Sequence, residues 1–139
     1  MYGDLQFTGA NNKFKGTTKV YQFKGHPDTY HCDFIVGFCG VAAEIVPAVS
    51  YFSNPDQYKR PPKSKISGLV LTAEQNIFIF EEDYTKWLAI NQPFFAMGTG
   101  STYALGAMEH GASPKEAVKS AMKHDPFTGM GIKGCKLKF

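Results

Sequence analysis

The chain has 139 residues, 43% of them hydrophobic, enough for one domain (residues 1–139) whose single core buries roughly two thirds of the unfolded surface. Fifteen basic and twelve acidic side chains give a net charge of +3, with only a mild cluster at Lys59, Arg60, Lys63 and Lys65, which argues neither for nor against nucleic acid; no nucleic-acid partner is expected. Three cysteines (Cys32, Cys39, Cys135) without CxxC spacing exclude a disulfide framework and point to a reducing, cytoplasmic setting, and no stretch approaches the roughly 18 apolar residues of a membrane span.

In chain order, residues 19–24 and 30–38 are β-branched and aromatic runs separated by Gly25, Pro27 and Asp28, which suits a hairpin with a long loop. Val41, Ile45, Val49 and Phe52 recur at helical spacing, but Pro47 costs about 3 kcal/mol inside a helix, so a short or kinked helix is expected. Residues 53–67 hold three prolines and several basic side chains and read as an exposed loop. Residues 68–71 and 77–80 flank a second hairpin turn. Residues 84–90 favour neither state, and 93–97 read as a buried strand.

Two helices follow. Tyr103, Ala104, Ala107 and Met108 make one apolar face closed by Gly111, where a left-handed residue is needed. Ser113-Pro114-Lys115-Glu116 is a capping box leading into the pairs Ala117/Val118 and Ala121/Met122. Strands before these helices and a strand-like tail after them indicate a layered α/β or α+β domain.

Three side-chain groups invite a chemical reading. The turn Gly98-Thr99-Gly100-Ser101 runs into a helix as phosphate cradles do, yet it lacks their longer glycine loop and the lysine at the helix start. Without those, the glycines simply permit a sharp turn with Ser101 as N-cap. Asp4, Lys19 and Asp125 taken singly are equally well read as turn or solvated-face residues. His31 and Cys32 are adjacent, so on a strand they would point to opposite faces, and His110, His124 and Cys135 lack ligand spacing; no metal site is expected.

Four stretches in register carry a resemblance. "YGDLQFTGANNKFKGTTKVYQF" (2–23), "IVGFCGVAAEIV" (35–46), "AMGTGSTYALGAMEHG" (96–111) and "HDPFTG" (124–129) resemble, in order, the motifs of proteasome β subunits and the bacterial protease HslV. The resemblance implies an α+β, four-layer αββα sandwich of the N-terminal-nucleophile hydrolase type. It also implies a threonine-type endopeptidase ancestry without a cofactor. By motif position, Asp4 and Lys19 match the family's active-site aspartate and lysine, and Gly40 the glycine whose N–H meets the oxyanion. Thr99, Asp125 and Thr128 match the groups that orient the nucleophile's amine, while Phe7, Phe38 and Ala42 match positions near the specificity pocket, implying a preference for apolar side chains. The family assembles, so a homo-oligomer (dimer or ring), a peptide or unfolded-protein substrate and a partner unfoldase are implied.

The chain departs from that pattern in two places. The family's nucleophile stands on a strand upstream of the Gly3-Asp4 pair, and Met1 precedes that pair by two residues, so the resemblance implies a shortened chain lacking the first strand and its N-terminal threonine. Residues 53–67 stand where the family has a long second helix. The readings left open are a shortened threonine peptidase, a non-catalytic assembly or binding subunit of proteasome-like kind, and a nucleotide-binding domain using Gly98–Ser101.

Overall fold

The structure, a computed structural model, describes all residues except 5, 10, 11, 16, 17, 127, 130, 131, 135, 138 and 139; for 4, 6–9, 12–15, 132 and 133 it describes the backbone only. The elements run β1 (Tyr2–Asp4), β2 (Gln6–Gly9), β3 (Asn12–Lys15), β4 (Val20–Phe23), β5 (Phe34–Cys39), α1 (Ala42–Ser53), β6 (Ser67–Thr72), β7 (Ile77–Phe80), β8 (Leu88–Ile90), α2 (Ser101–Glu109), α3 (Pro114–His124) and β9 (Ile132–Gly134). Strands β4 to β8 form one antiparallel sheet in sequence order, β1 pairs with β9, and β2 pairs with β3. The chain is therefore α+β. The described residues supply one helix layer, a five-stranded sheet, the two-stranded β1–β9 ribbon and the α2–α3 pair; a complete second sheet is not among them.

Alternation along the strands decides which face of the large sheet is core. Phe34, Val36 and Phe38 on β5 and Val70 on β6 are fully or almost fully buried, and Val36 stands opposite Val70 in the register. They pack with Ile45, Ala48, Tyr51 and Phe52 of α1, with Phe23, and with Phe80 and Tyr84. The opposite face carries Gly37, Cys39, Leu69, Leu71 and Ile77, which look across a cavity towards α2 and α3. The core is aromatic: Phe34 lies edge-on to Phe52 at 5.5 Å and to Trp87 at 5.3 Å, and Trp87 stacks on Tyr30 at 5.3 Å. Offset and edge-to-face pairs of this kind add about 0.5–1.5 kcal/mol each beyond the area they bury.

Several local expectations are met and others shift for identifiable reasons. The hairpin of β6 and β7 forms with Gln75 in the left-handed region of its turn. Ser113 caps α3, accepting the Glu116 N–H at 3.2 Å, and Gly111 ends the preceding helix at φ +93°. Helix α1 runs through Pro47 as a continuous 12-residue element, and its buried stripe is Ile45, Ala48, Tyr51 and Phe52, rotated away from Val41, which is exposed.

The 53–67 segment is not simply an exposed loop. It contains a 3-10 turn at Pro55–Gln57, buries Pro55, Ser64 and Ile66, and is tied to α1 by Ser64, whose hydroxyl donates to the Glu44 carbonyl and carboxylate. Residues 93–97 form no strand; Phe94 and Ala96 pack as loop side chains against Ala104, Met108 and Ala117. Ser101 is the first residue of α2 rather than its cap, the cap position being Gly100. Tyr103 is exposed and stacks on the His124 ring at 5.3 Å instead of joining the buried face. Among the described residues no helix is long and apolar enough to cross a membrane.

Candidate functional site

The site is a mainly apolar cavity of about 790 Å³ between the open face of the five-stranded sheet and the α2–α3 pair. That is within the size range of small-molecule and peptide pockets, about 300–1,000 Å³. The end of β5, the start of α1, the turn before β4, the 93–101 segment, α3 and Thr128 all contribute to its wall.

Its most specific polar feature is a shared carboxylate. Asp125, the C-terminal cap of α3 and only 6% exposed, accepts the Thr99 hydroxyl at 2.6 Å and the Thr128 hydroxyl at 2.7 Å, both on Oδ2. Its backbone is held as well: the Asp125 N–H reaches the Ala121 carbonyl at 2.8 Å, and the Thr128 N–H reaches the Asp125 carbonyl at 3.2 Å. Thr99 arrives through the turn that opens α2, where the Ser101 N–H bonds back to the Gly98 carbonyl at 3.1 Å.

That arrangement explains the glycine at 100. A Cβ there would stand 2.8 Å from the Ala121 Cβ, 2.9 Å from Thr128 Oγ1 and 3.4 Å from Asp125 Oδ2. Only a residue without a side chain lets the N-terminus of α2 lie directly against this carboxylate. A negative charge at a helix N-terminus is also favoured by the backbone dipoles.

The other wall is built around β5. Gly40 follows β5 at φ +132°, a conformation that disfavours side chains, one residue past the last register pair Cys39↔Ser67. Lys19 precedes β4 in a bend, its carbonyl accepting the Phe38 N–H at 2.7 Å, and its side chain is half-buried in the cavity wall. The β1 ribbon crosses here: a Cβ on Gly3 would stand 3.0 Å from Val20 Cγ2 and 3.9 Å from Lys19 Cβ.

Of the residues singled out from the sequence, Lys19, Phe38, Gly40, Ala42, Thr99 and Thr128 all line this one cavity, and Asp125 bonds two of them. Asp4 is placed by its backbone alone, opposite Ile132 in the β1–β9 ribbon, and Phe7 opposite Phe14 in the β2–β3 hairpin; their side chains lie outside the described residues, as does Cys135. In the sequence Gly100 reads as a turn residue, and neither Gly3 nor Gly37 is marked there for close packing. Each of these glycines abuts side chains that come from elsewhere in the chain, a long-range contact with no local signature.

No protein-family model matches the chain, and no curated protein matches it. In fold, the chain is similar to two solved structures of Anbu (ancestral beta-subunit). With the Anbu of Yersinia bercovieri it shares 13% identity over 94% of this chain and 73% of the other, at a TM-score of 0.64. With a Gly-1 mutant of Anbu from Hyphomicrobium sp. strain MC1 it again shares 13% identity over the same fractions, at a TM-score of 0.60.

These findings correct the assignment to the proteasome β-subunit and HslV family. What the chain shares with these two Anbu structures is their fold. The physical reason is that the four quoted stretches are glycine turns and hydroxyl-rich helix starts. A sheet feeding a tight turn and a helix demands these wherever it occurs, so they report architecture rather than membership.

Proposed function

We propose that the cavity binds an extended peptide and that the chain is the scaffold of a peptide-bond hydrolase of the N-terminal-nucleophile type. The observation that carries this reading is the convergence of Lys19, Gly40, Thr99 and Thr128 on one apolar cavity beside the buried Asp125 carboxylate. The Gly40 backbone N–H stabilises the oxyanion, and the Lys19 ammonium lowers the nucleophile's proton affinity through its positive charge, Asp4 being assigned to that ammonium by motif position alone. Asp125, with Thr99 and Thr128, orients the nucleophile's amine end, and Ala42 lines the place of an apolar substrate side chain. The nucleophile itself is delivered by a strand bearing an N-terminal threonine.

A second reading, a binding subunit without its own cleavage, draws on a specific observation. The Thr99 and Thr128 hydroxyls in the wall are both spent on Asp125, which leaves them positioning roles. Both readings include self-association of the chain.

The test couples binding to cleavage. A labelled apolar peptide should bind the 139-residue chain saturably, and Ala42→Glu should abolish that binding. A version carrying an additional N-terminal strand that begins with threonine cleaves a peptidyl-coumarin substrate, and Lys19→Ala in that version abolishes cleavage while peptide binding persists. Cleavage that survives Lys19→Ala overturns the catalytic roles, and binding without cleavage in the threonine-bearing version selects the second reading. Light scattering at high concentration should show a species larger than a monomer.

A further inference from the structure

We propose that His31, Cys32 and Glu74 form a binding site for one divalent transition-metal ion of the zinc class, at the β6–β7 turn end of the large sheet, opposite the end where Gly40 stands. The expectation that His31 and Cys32 diverge assumed a strand. Residues 31 and 32 instead form a bend before β5, and one ligand atom each from His31, Cys32 and Glu74 lies within 4.8 Å of the other two. Tetrahedral zinc sets N, S and O ligand atoms about 3.3–3.8 Å apart, so side-chain movements of about an ångström close the set around an ion.

The two segments that carry these ligands are already locked together. The Ala73 N–H donates to the Asp33 carbonyl at 2.8 Å, which fixes the β6–β7 turn against the loop before β5. The Asp33 carboxylate accepts the Gly25 N–H at 2.9 Å, and Lys24 pairs with its second oxygen at 3.4 Å. Gly25 itself lies against the bend: a Cβ there would meet Cys32 Cα at 2.8 Å and the His31 carbonyl oxygen at 2.9 Å. The His31 ring stacks on Tyr30 at 4.5 Å with Nε2 facing Glu74 Oε1, and the Asn76 side-chain amide donates to Glu74 Oε2 at 3.5 Å. Both His31 and Glu74 are open to solvent, their side chains 64% and 48% exposed, which gives an ion a route in.

Charge and chemistry match a zinc-class ion. A thiolate and a carboxylate neutralise the dication, the neutral imidazole completes a mixed S, N, O set, and a fourth position stays open for water. On binding, Cys32 releases its thiol proton and the imidazole carries its remaining proton on Nδ1, leaving the Nε2 lone pair for the metal. The neighbouring group of His26, Asp28 and Asp56 is not equivalent. There Nδ1 already accepts the Asp28 N–H at 3.0 Å, so the ring proton resides on Nε2, directed at Asp56 3.0 Å away, and no ring lone pair remains.

Gly40 lies seven residues further along the strand direction from Asp33, roughly 23 Å at about 3.3 Å per residue, so the ion acts as a clip between two loops, far from the Gly40 end of the cavity. The experiment is a Co²⁺ titration of the full chain under reducing conditions, followed by competition with Zn²⁺. The site should take one equivalent with a sulfur-to-cobalt charge-transfer band that Zn²⁺ bleaches. Cys32→Ser, with near-ultraviolet dichroism unchanged, should lose the band, whereas Cys39→Ser and Cys135→Ser should keep it. His31→Ala and Glu74→Gln should weaken binding by at least the roughly 10–100-fold that loss of a mere outer-sphere partner produces. Absence of the band in the wild-type chain, its survival in Cys32→Ser, or undiminished affinity in His31→Ala overturns the proposal.

Discussion

The contact between the start of α2 and the end of α3 can be tested with one methyl group. In Gly100→Ala the backbone objects little, since Gly100 sits at φ −87° and ψ 5°, so the effect is steric. The new Cβ would stand 2.8 Å from Ala121 Cβ and 2.9 Å from Thr128 Oγ1, where carbon atoms prefer about 3.5–4.0 Å. Ala121 belongs to helix backbone that cannot swing aside, so α2 and α3 must separate by roughly an ångström, which also disturbs both hydroxyl bonds to Asp125. Overpacking of this kind costs about 1–3 kcal/mol. Loss of glycine at a cap adds several tenths, and alanine's smaller unfolded-state entropy offsets about 0.4–1 kcal/mol. The net destabilisation is about 1–3 kcal/mol, read as a lower urea midpoint at constant slope. Gly106→Ala is the internal control, because a Cβ at mid-α2 meets nothing within 4 Å; it should stabilise by about 0.5–1 kcal/mol through helix propensity. A Gly100→Ala chain as stable as the wild type would show that α2 and α3 do not meet there.

Thr99→Val and Thr128→Val should each destabilise by about 1.5–3 kcal/mol, the range for hydrogen bonds to charged groups, and the double variant should be non-additive because both hydroxyls reach the same oxygen; chemical denaturation of the three variants checks this. Burial raises the Tyr84 hydroxyl above its ordinary value of 10.0, with Tyr51 and Asp83 adding to the shift. The unfolded chain therefore ionises first, so this contribution is intact below pH 10 and is lost as pH rises further; Tyr84→Phe should flatten the alkaline fall in thermal midpoint. Asp33 shifts the other way, held low mainly by the Gly25 N–H, so its contribution is intact above its ordinary value of 3.8 and is lost as pH falls through the lower folded value; Asp33→Asn should remove that part of the acid limb in a pH series of unfolding curves.

What could be read from the residues follows the range of the forces involved. Helix α3 announces itself because Ser113, Pro114 and Glu116 act within one turn, and the β6–β7 hairpin because its alternation and its turn lie side by side in the chain. An apolar run such as 93–97 reads alike whether it is a buried strand or a loop packed on a helix; Phe94 and Ala96 are half-buried against α2 and α3, with no partner strand among the described residues. The stripe of α1 was displaced because Tyr51 and Ala48, not Val41, meet the sheet. The cavity's residues were nameable only through their resemblance to motifs met elsewhere. Their convergence depends on Gly3 passing Lys19 and on Gly100 touching Ala121, contacts set by tertiary packing. The bend at His31 and Cys32 was hidden for the same reason, since a run of β-formers says nothing of where the strand begins.

The proposed function requires an extended peptide to enter the cavity between the large sheet and the α2–α3 pair. Amide chemical-shift mapping of the isotopically labelled 139-residue chain, titrated with an apolar peptide, tests it most directly. Saturable shifts are expected at Gly3, Gly40, Thr99 and Thr128 together, with the amides of the 3-10 turn at Asp56 and Gln57, beside α1, unmoved. Shifts confined to that turn, or none at any of the four cavity residues under saturating peptide, would contradict it.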